Sequence, residues 1–207
     1  MPETVFIRDE RMTTEQNTRN YVIIVSGLPR SGTSMAMKAI AAGGIEPLVD
    51  DVRKADEDNP KGYYEFEPVK KTKEDASWLK NAPGKVVKMV YRLLYDLPAG
   101  HEYRVIFMQR DLKEVLASQS KMLKRSGKRG AGIPPGRMEA LYSGELAKCE
   151  KWLAEQPNFN VLYINHRDMI NDGPAQAQKI NEFLDGGLNI DAMAAVVDPA
   201  LYRNRSQ

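Results

Sequence analysis

One cysteine, Cys149, and two histidines are all that the 207-residue chain holds of the thiols and imidazoles that form disulfides and zinc sites. A lone thiol excludes an intramolecular disulfide, and nothing near it has the Cys/His spacing of a zinc site. Cys149 falls in an amphipathic run and reads as a buried structural thiol. Long apolar runs are also missing: no stretch approaches the ~20 residues that cross a bilayer. Residues 1–20 are polar and charged and lack the apolar core of a secretory signal. They read as an exposed leader, so a cytoplasmic protein is expected. Neither charge dominates, since 30 basic against 28 acidic residues leave a formal net charge of +2. That balance points to no polyanionic partner and argues against nucleic-acid binding. No internal repeat is present. What remains, 42% hydrophobic and 28% charged residues, suits one α/β-sized domain, 1–207, with a real core.

Apolar runs alternate with segments of helical period. Residues 21–26 form a near-continuous apolar run, as in a strand buried on both faces of a parallel sheet. A helix is expected from Thr33 to the Gly43-Gly44 stop, and another over 69–79 with Pro68 in its first turn. Residues 50–62 read as a charged surface loop around Asn59-Pro60. Strands are expected over 85–91, 103–109 and 161–164, with helices over 112–123, 138–153, 175–184 and 190–197. Between two of those helices, 124–136 is rich in Lys, Arg, Gly and Pro and reads as a flexible basic loop. Alternation of this kind implies a three-layer α/β sandwich with a central, mostly parallel sheet. In such sheets ligands lie beyond the carboxyl ends of the strands.

The segment Tyr21-Val-Ile-Ile-Val-Ser-Gly-Leu-Pro-Arg-Ser-Gly-Thr-Ser34 joins a strand, a glycine-bounded loop and a helix start. That is a phosphate cradle of P-loop type: backbone N–H groups line a concavity and the first helical turn adds partial positive charge. Gly27 and Gly32 let the backbone approach an anion closely. One position departs from the NTPase loop G-x-x-x-x-G-K-[ST]. Thr33 stands where the lysine belongs, and the nearest cation, Arg30, lies inside the loop.

Leu28-Pro-Arg-Ser-Gly-Thr-Ser34 resembles the 5′-phosphosulfate loop of the sulfotransferase family, P-loop-like enzymes that use 3′-phosphoadenosine 5′-phosphosulfate (PAPS). Val105-Ile-Phe-Met-Gln-Arg-Asp-Leu-Lys-Glu-Val-Leu-Ala-Ser118 resembles the family's 3′-phosphate motif, in which a strand ends in Arg-Asp and a serine follows eight residues after the arginine. Segments 159–168 and Asn181-Glu-Phe-Leu184 are similar to the strand and helix near the family's C-terminus, and 197–205 to the tails of small bacterial members. The resemblance covers about two thirds of the chain. It implies that Arg30, Ser31, Gly32, Thr33 and Ser34 hold the 5′-phosphosulfate. By the same resemblance Arg110 and Ser118 hold the 3′-phosphate, Arg203 and Arg205 add to it, and Lys88 touches the transferring sulfonate. Many members place a histidine two residues after that lysine as general base, whereas this chain has Val90. Glu65, in Asn59-Pro-Lys-Gly-Tyr-Tyr-Glu65, is the substitute, and Glu67 stands next in line.

The chemistry suits these residue types. Sulfuryl transfer drives negative charge onto an oxygen bridging to phosphate, and a cation such as Arg30 stabilises it. A forked guanidinium such as Arg110 meets a phosphate bidentately. The strand over 103–109 delivers an arginine where magnesium-dependent NTPases carry an acid, so no metal is expected. Other readings stay open: Arg110 in an ion pair with Asp111 or Glu114, Ser118 as a small packing residue, Lys88 as an edge cation, Glu65 as a solvated carboxylate. His101 reads as structural, His166 as structural or as approaching the nucleotide, and the basic loop as a solvated loop or a lid. The expected partner is a small-molecule, glycan or lipid acceptor. A nucleotide kinase or NTPase with a degenerate loop, and a silent protein that binds 3′-phosphoadenosine 5′-phosphate (PAP), are the rival functions.

Overall fold

The computed structural model describes residues 19–50, 64–127 and 132–197. The first apolar run forms β1 (Val22–Gly27), every residue of which is buried. It leads into α1 (Thr33–Ala42), which ends at the glycine pair. β2 (Val86–Lys88) and β3 (Tyr103–Gln109) follow, then α2 (Leu112–Arg125) and the long α3 (Pro135–Glu155). β4 (Phe159–Asn165) runs directly into α4 (His166–Asn171), and α5 (Gly173–Phe183) and α6 (Ile190–Ala195) close the described fold.

The four strands pair in the order β2-β1-β3-β4, all parallel. Successive residues of β1 face opposite layers, as a period-2 backbone requires. Val22 and Ile24 join Phe107, Val115, Cys149 and Leu153 in the core beneath α2 and α3. Ile23 and Val25 join Met37, Ile40, Ile180 and Met193 in the core beneath α1, α5 and α6. The expected α/β sandwich with a parallel sheet is therefore the observed one. The chain leaves β1 first toward β2 and later returns to β3 on its other side. Strand order thus reverses between β1 and β3, and a crevice opens beyond their carboxyl ends.

Three expected elements differ. The helix over 69–79 is two 3-10 turns, Glu67–Lys71 and Ser77–Asn81. Thr72 Oγ1 donates to the Val69 carbonyl at 2.8 Å, and Asp75 Oδ1 accepts from the Ser77 amide at 2.9 Å. Side chains that satisfy the backbone locally break a helix at that point. The strand over 85–91 pairs for three residues only, because the chain bends after Met89 into a 3-10 turn, Tyr91–Asp96. The basic loop over 124–136 is shorter than expected: Lys124 and Arg125 end α2, and Pro135 starts α3. The leader over 1–18, the loop over 51–63, residues 128–131 and the tail with Arg203 and Arg205 lie outside the described residues. Among the described residues no helix is long and apolar enough to cross a membrane.

Candidate functional site

The loop after β1 takes three left-handed steps, at Gly27 (φ 142°), Arg30 (φ 75°) and Gly32 (φ 101°). Glycine permits two of them. A Cβ on Gly27 would lie 2.6 Å from the Met108 carbonyl oxygen and 2.7 Å from Ser31 Oγ. The third falls on a side chain that resists it, at a cost of about 1–2 kcal/mol. The neighbouring helix holds that strain in place. Arg30 Nε donates to Ser118 Oγ at 3.0 Å, Arg110 Nη1 donates to the Arg30 carbonyl at 3.1 Å, and Gln119 Nε2 donates to the Pro29 carbonyl at 3.2 Å. Strain stored at a ligand loop and braced by its surroundings is characteristic of functional sites.

Inside this loop Ser31 is 1% exposed, and its Oγ has no hydrogen-bond partner. An orphaned buried hydroxyl costs about 1–3 kcal/mol, and an anion oxygen in the cradle would satisfy it. Gly32 is the N-cap of α1, with no side-chain hydrogen bond covering the helix start. These features fit a bound phosphate or sulfate group.

Arg110 follows β3 directly and is 9% exposed. Its Nε donates to Glu114 Oε2 at 3.0 Å, across one turn of α2. Glu114, 2% exposed, also accepts from Arg167 Nη2 on its other oxygen at 3.3 Å. Asp111 caps α2 through the Glu114 amide at 3.1 Å. The ion pair weighed from the sequence is thus present. Arg30 and Ser118, assigned from the sequence to opposite ends of the ligand, bond to each other, so the two segments that carry those assignments abut. Leu28, Ser31, Arg110, Asp111, Leu146 and Glu150 are among the residues lining a cleft of about 290 Å³ at this edge.

Lys88 ends β2 opposite Val25, two residues before the loop, and is partly exposed. Glu65 stands farther out. Pro47 pairs beside Val86 on the outer flank of β2, and the Asp50 amide donates to the Glu65 carbonyl at 3.2 Å. Tyr64 packs into one core and Phe66 into the other, which pins Glu65 to that flank. Val90, in the place of the missing histidine, is 41% exposed. Glu67 bonds to Lys70 at 2.5 Å. Thr33 and Ser34 open α1 and are partly exposed.

Sequence reasoning gave no role to Arg167 or to the burial of Glu114, and left His166 between a structural role and an approach to the nucleotide. His166 covers the loop: a Cβ on Gly32 would lie 2.6 Å from its Cδ2. The signal was there in position, because Gln109 pairs with Asn165 and the residues that follow the two strands must emerge side by side. Burial first, then the Arg110 charge, pushes the His166 imidazole down from 6.5 to about 4, with Glu114 opposing. The folded protein therefore holds a neutral ring, while the unfolded chain takes up a proton as pH drops below 6.5. Stability from this group is full above pH 6.5 and falls by about 3 kcal/mol on the way to pH 4. Urea unfolding at a series of pH values will show that slope, and His166→Asn will flatten it.

No protein-family model matches the chain, and no curated protein matches it. Among solved structures it is similar to the sulfotransferase domain of the Synechococcus PCC 7002 olefin synthase. The TM-score is 0.52 at 12% identity, over 93% of this chain and 90% of that one. An unliganded sugar kinase from Janibacter sp. HTCC2649 overlaps with a TM-score of 0.41 at 14% identity, over 88% of this chain and 98% of that one. The likeness to the first is one of fold alone.

Proposed function

We propose that the chain is a sulfotransferase that moves a sulfuryl group from PAPS to a hydroxyl or amine of a small-molecule, glycan or lipid acceptor. One observation carries the reading. A glycine loop with a buried, unsatisfied Ser31 hydroxyl and an internal arginine sits at the β1/β3 crevice, beside a second arginine that follows β3. A donor with phosphates at both ends of an adenosine needs such a pair of neighbouring anion sites. The resemblance of both motifs to the sulfotransferase pattern, in the right order, supports the same donor.

In this reading Gly32, Thr33, Ser34 and the Ser31 hydroxyl hold the 5′-phosphosulfate. Arg30, oriented by Ser118, and Lys88 supply positive charge to the bridging oxygen and the moving sulfonate. The acceptor oxygen or nitrogen forms its bond to sulfur as the bond from sulfur to the bridging oxygen breaks. Glu65 takes the acceptor's proton, and PAP leaves with the electron pair. Arg110 and Ser118, with Arg203 and Arg205, hold the 3′-phosphate.

Calorimetric titration of the full chain with PAP, ADP and ATP, each with and without magnesium, tests this. PAP is expected to bind most tightly, with no need for magnesium. Equal affinities, or a magnesium-dependent preference for ATP, would sink the reading in favour of a kinase or NTPase. Glu65→Gln should cut PAP release from PAPS by about 10²–10⁴-fold, the usual span for a general base, while PAP affinity holds. Unchanged turnover removes Glu65 as the base.

A further inference from the structure

The donor reading leaves Arg167 without a role, yet it shares a carboxylate with Arg110. Each oxygen of Glu114 binds one guanidinium, Arg110 at 3.0 Å and Arg167 at 3.3 Å. The three partners differ sharply in burial. Glu114 and Arg110 are 2% and 9% exposed, whereas Arg167 is 51% exposed. Arg110 alone neutralises the buried carboxylate. A half-exposed cation added to it contributes only about 0–1 kcal/mol to folding, so stability gives little reason for Arg167 to be there. Register gives a better one. Because Gln109 pairs with Asn165, the residues after β3 and β4 leave the sheet on the same edge, and Asn165 caps the next turn by accepting from the Arg167 amide at 2.8 Å.

Charge points the same way. Arg30, Arg110 and Arg167 are linked through the Arg30 carbonyl and the Glu114 carboxylate, which gathers three guanidiniums at one sheet edge. A phosphate monoester carries about −1.5 to −2 at neutral pH. Two further carboxylates stand at this edge: one oxygen of Asp111 is taken by the Glu114 amide, and Glu150 accepts from Gln109 Nε2 at 3.1 Å. We infer that Arg167 is a second guanidinium of the 3′-phosphate site, with Glu114 as the positioning residue that sets it beside Arg110. This rests on the proposed donor and names a specificity-determining residue for it: Arg167 selects nucleotides that carry a phosphate on the 3′-oxygen.

The test is calorimetry on the full chain with PAP and with adenosine 5′-monophosphate, which differs only in lacking the 3′-phosphate. Arg167→Ala should weaken PAP about tenfold or more, the worth of one charge-assisted hydrogen bond, and leave the monophosphate unchanged. Arg167→Lys keeps the charge without the fork and should recover part of the loss. If the parent protein prefers PAP and both variants keep the full preference, the inference is overturned while the donor reading stands. An equal loss for both nucleotides also overturns it, because that is the mark of a structural role. A parent protein that does not distinguish the two nucleotides overturns the inference and the donor reading together.

Discussion

Glu114→Ala is expected to remove about 3–5 kcal/mol of folding stability, the cost of taking one partner from a buried ion pair. Its side chain is 2% exposed and accepts from two arginines. The substitution takes from Arg110, whose side chain is 9% exposed, the buried carboxylate that pairs with its charge. Glu114→Gln keeps the shape and one acceptor but lacks the charge, so it should recover only part of the loss. Urea unfolding at neutral pH measures both variants. A loss below about 1 kcal/mol, the level of an exposed pair, would mean that water reaches Arg110 freely and that the buried network described above is wrong.

Gly27→Ala comes next in size. The added methyl would meet the Met108 backbone oxygen at 2.6 Å, and a backbone atom in a central strand cannot step aside. At φ 142° the residue also occupies a conformation that alanine avoids. Strain of about 1–3 kcal/mol from the dihedral and a similar amount from overpacking give roughly 4 kcal/mol together. Gly44 supplies the control: φ is 107°, yet a Cβ there meets nothing within 4 Å. Gly44→Ala should therefore pay for the dihedral alone. Equal losses at the two positions would remove the clash as the cause. Because Ser31 Oγ is the second atom in the way, Gly27→Ala should also abolish PAP binding in protein that still folds.

The sheet was legible in the sequence because its two central strands, β1 and β3, are almost wholly buried and so read as apolar runs. The run over 103–109 matches β3 residue for residue. α1 was equally plain, bracketed by the loop glycine and by Gly43-Gly44. The failures have local causes. Helical spacing over 69–79 could not show that Thr72 would receive the Trp78 indole N–H at 3.1 Å while back-bonding to Val69. α4 has six residues, too few to display a periodic face. β4 runs longer than the 161–164 expected because it is an edge strand with partly exposed positions, which dilute the apolar run.

At the site, the resemblance to the sulfotransferase motifs singled out the loop, Arg110 and Ser118, which hydrogen bonds now join. It could not show that Glu114 is buried. Three residues after an N-cap aspartate, a glutamate looks like an ordinary helix-start residue. Here it turns to the arginines instead. Arg167 escaped notice for a related reason: its partner Glu114 is 53 positions away, and strand register brings the two together.

Cys149 has a consequence of its own. The thiol lies fully covered on α3, and burial pushes it up to about 11. It stays protonated and out of reach of an alkylating reagent as long as α3 rests on the sheet. Being the chain's single thiol, it is a built-in clock: its labelling rate times the lifting of one layer from the other, with no engineered probe to disturb the molecule.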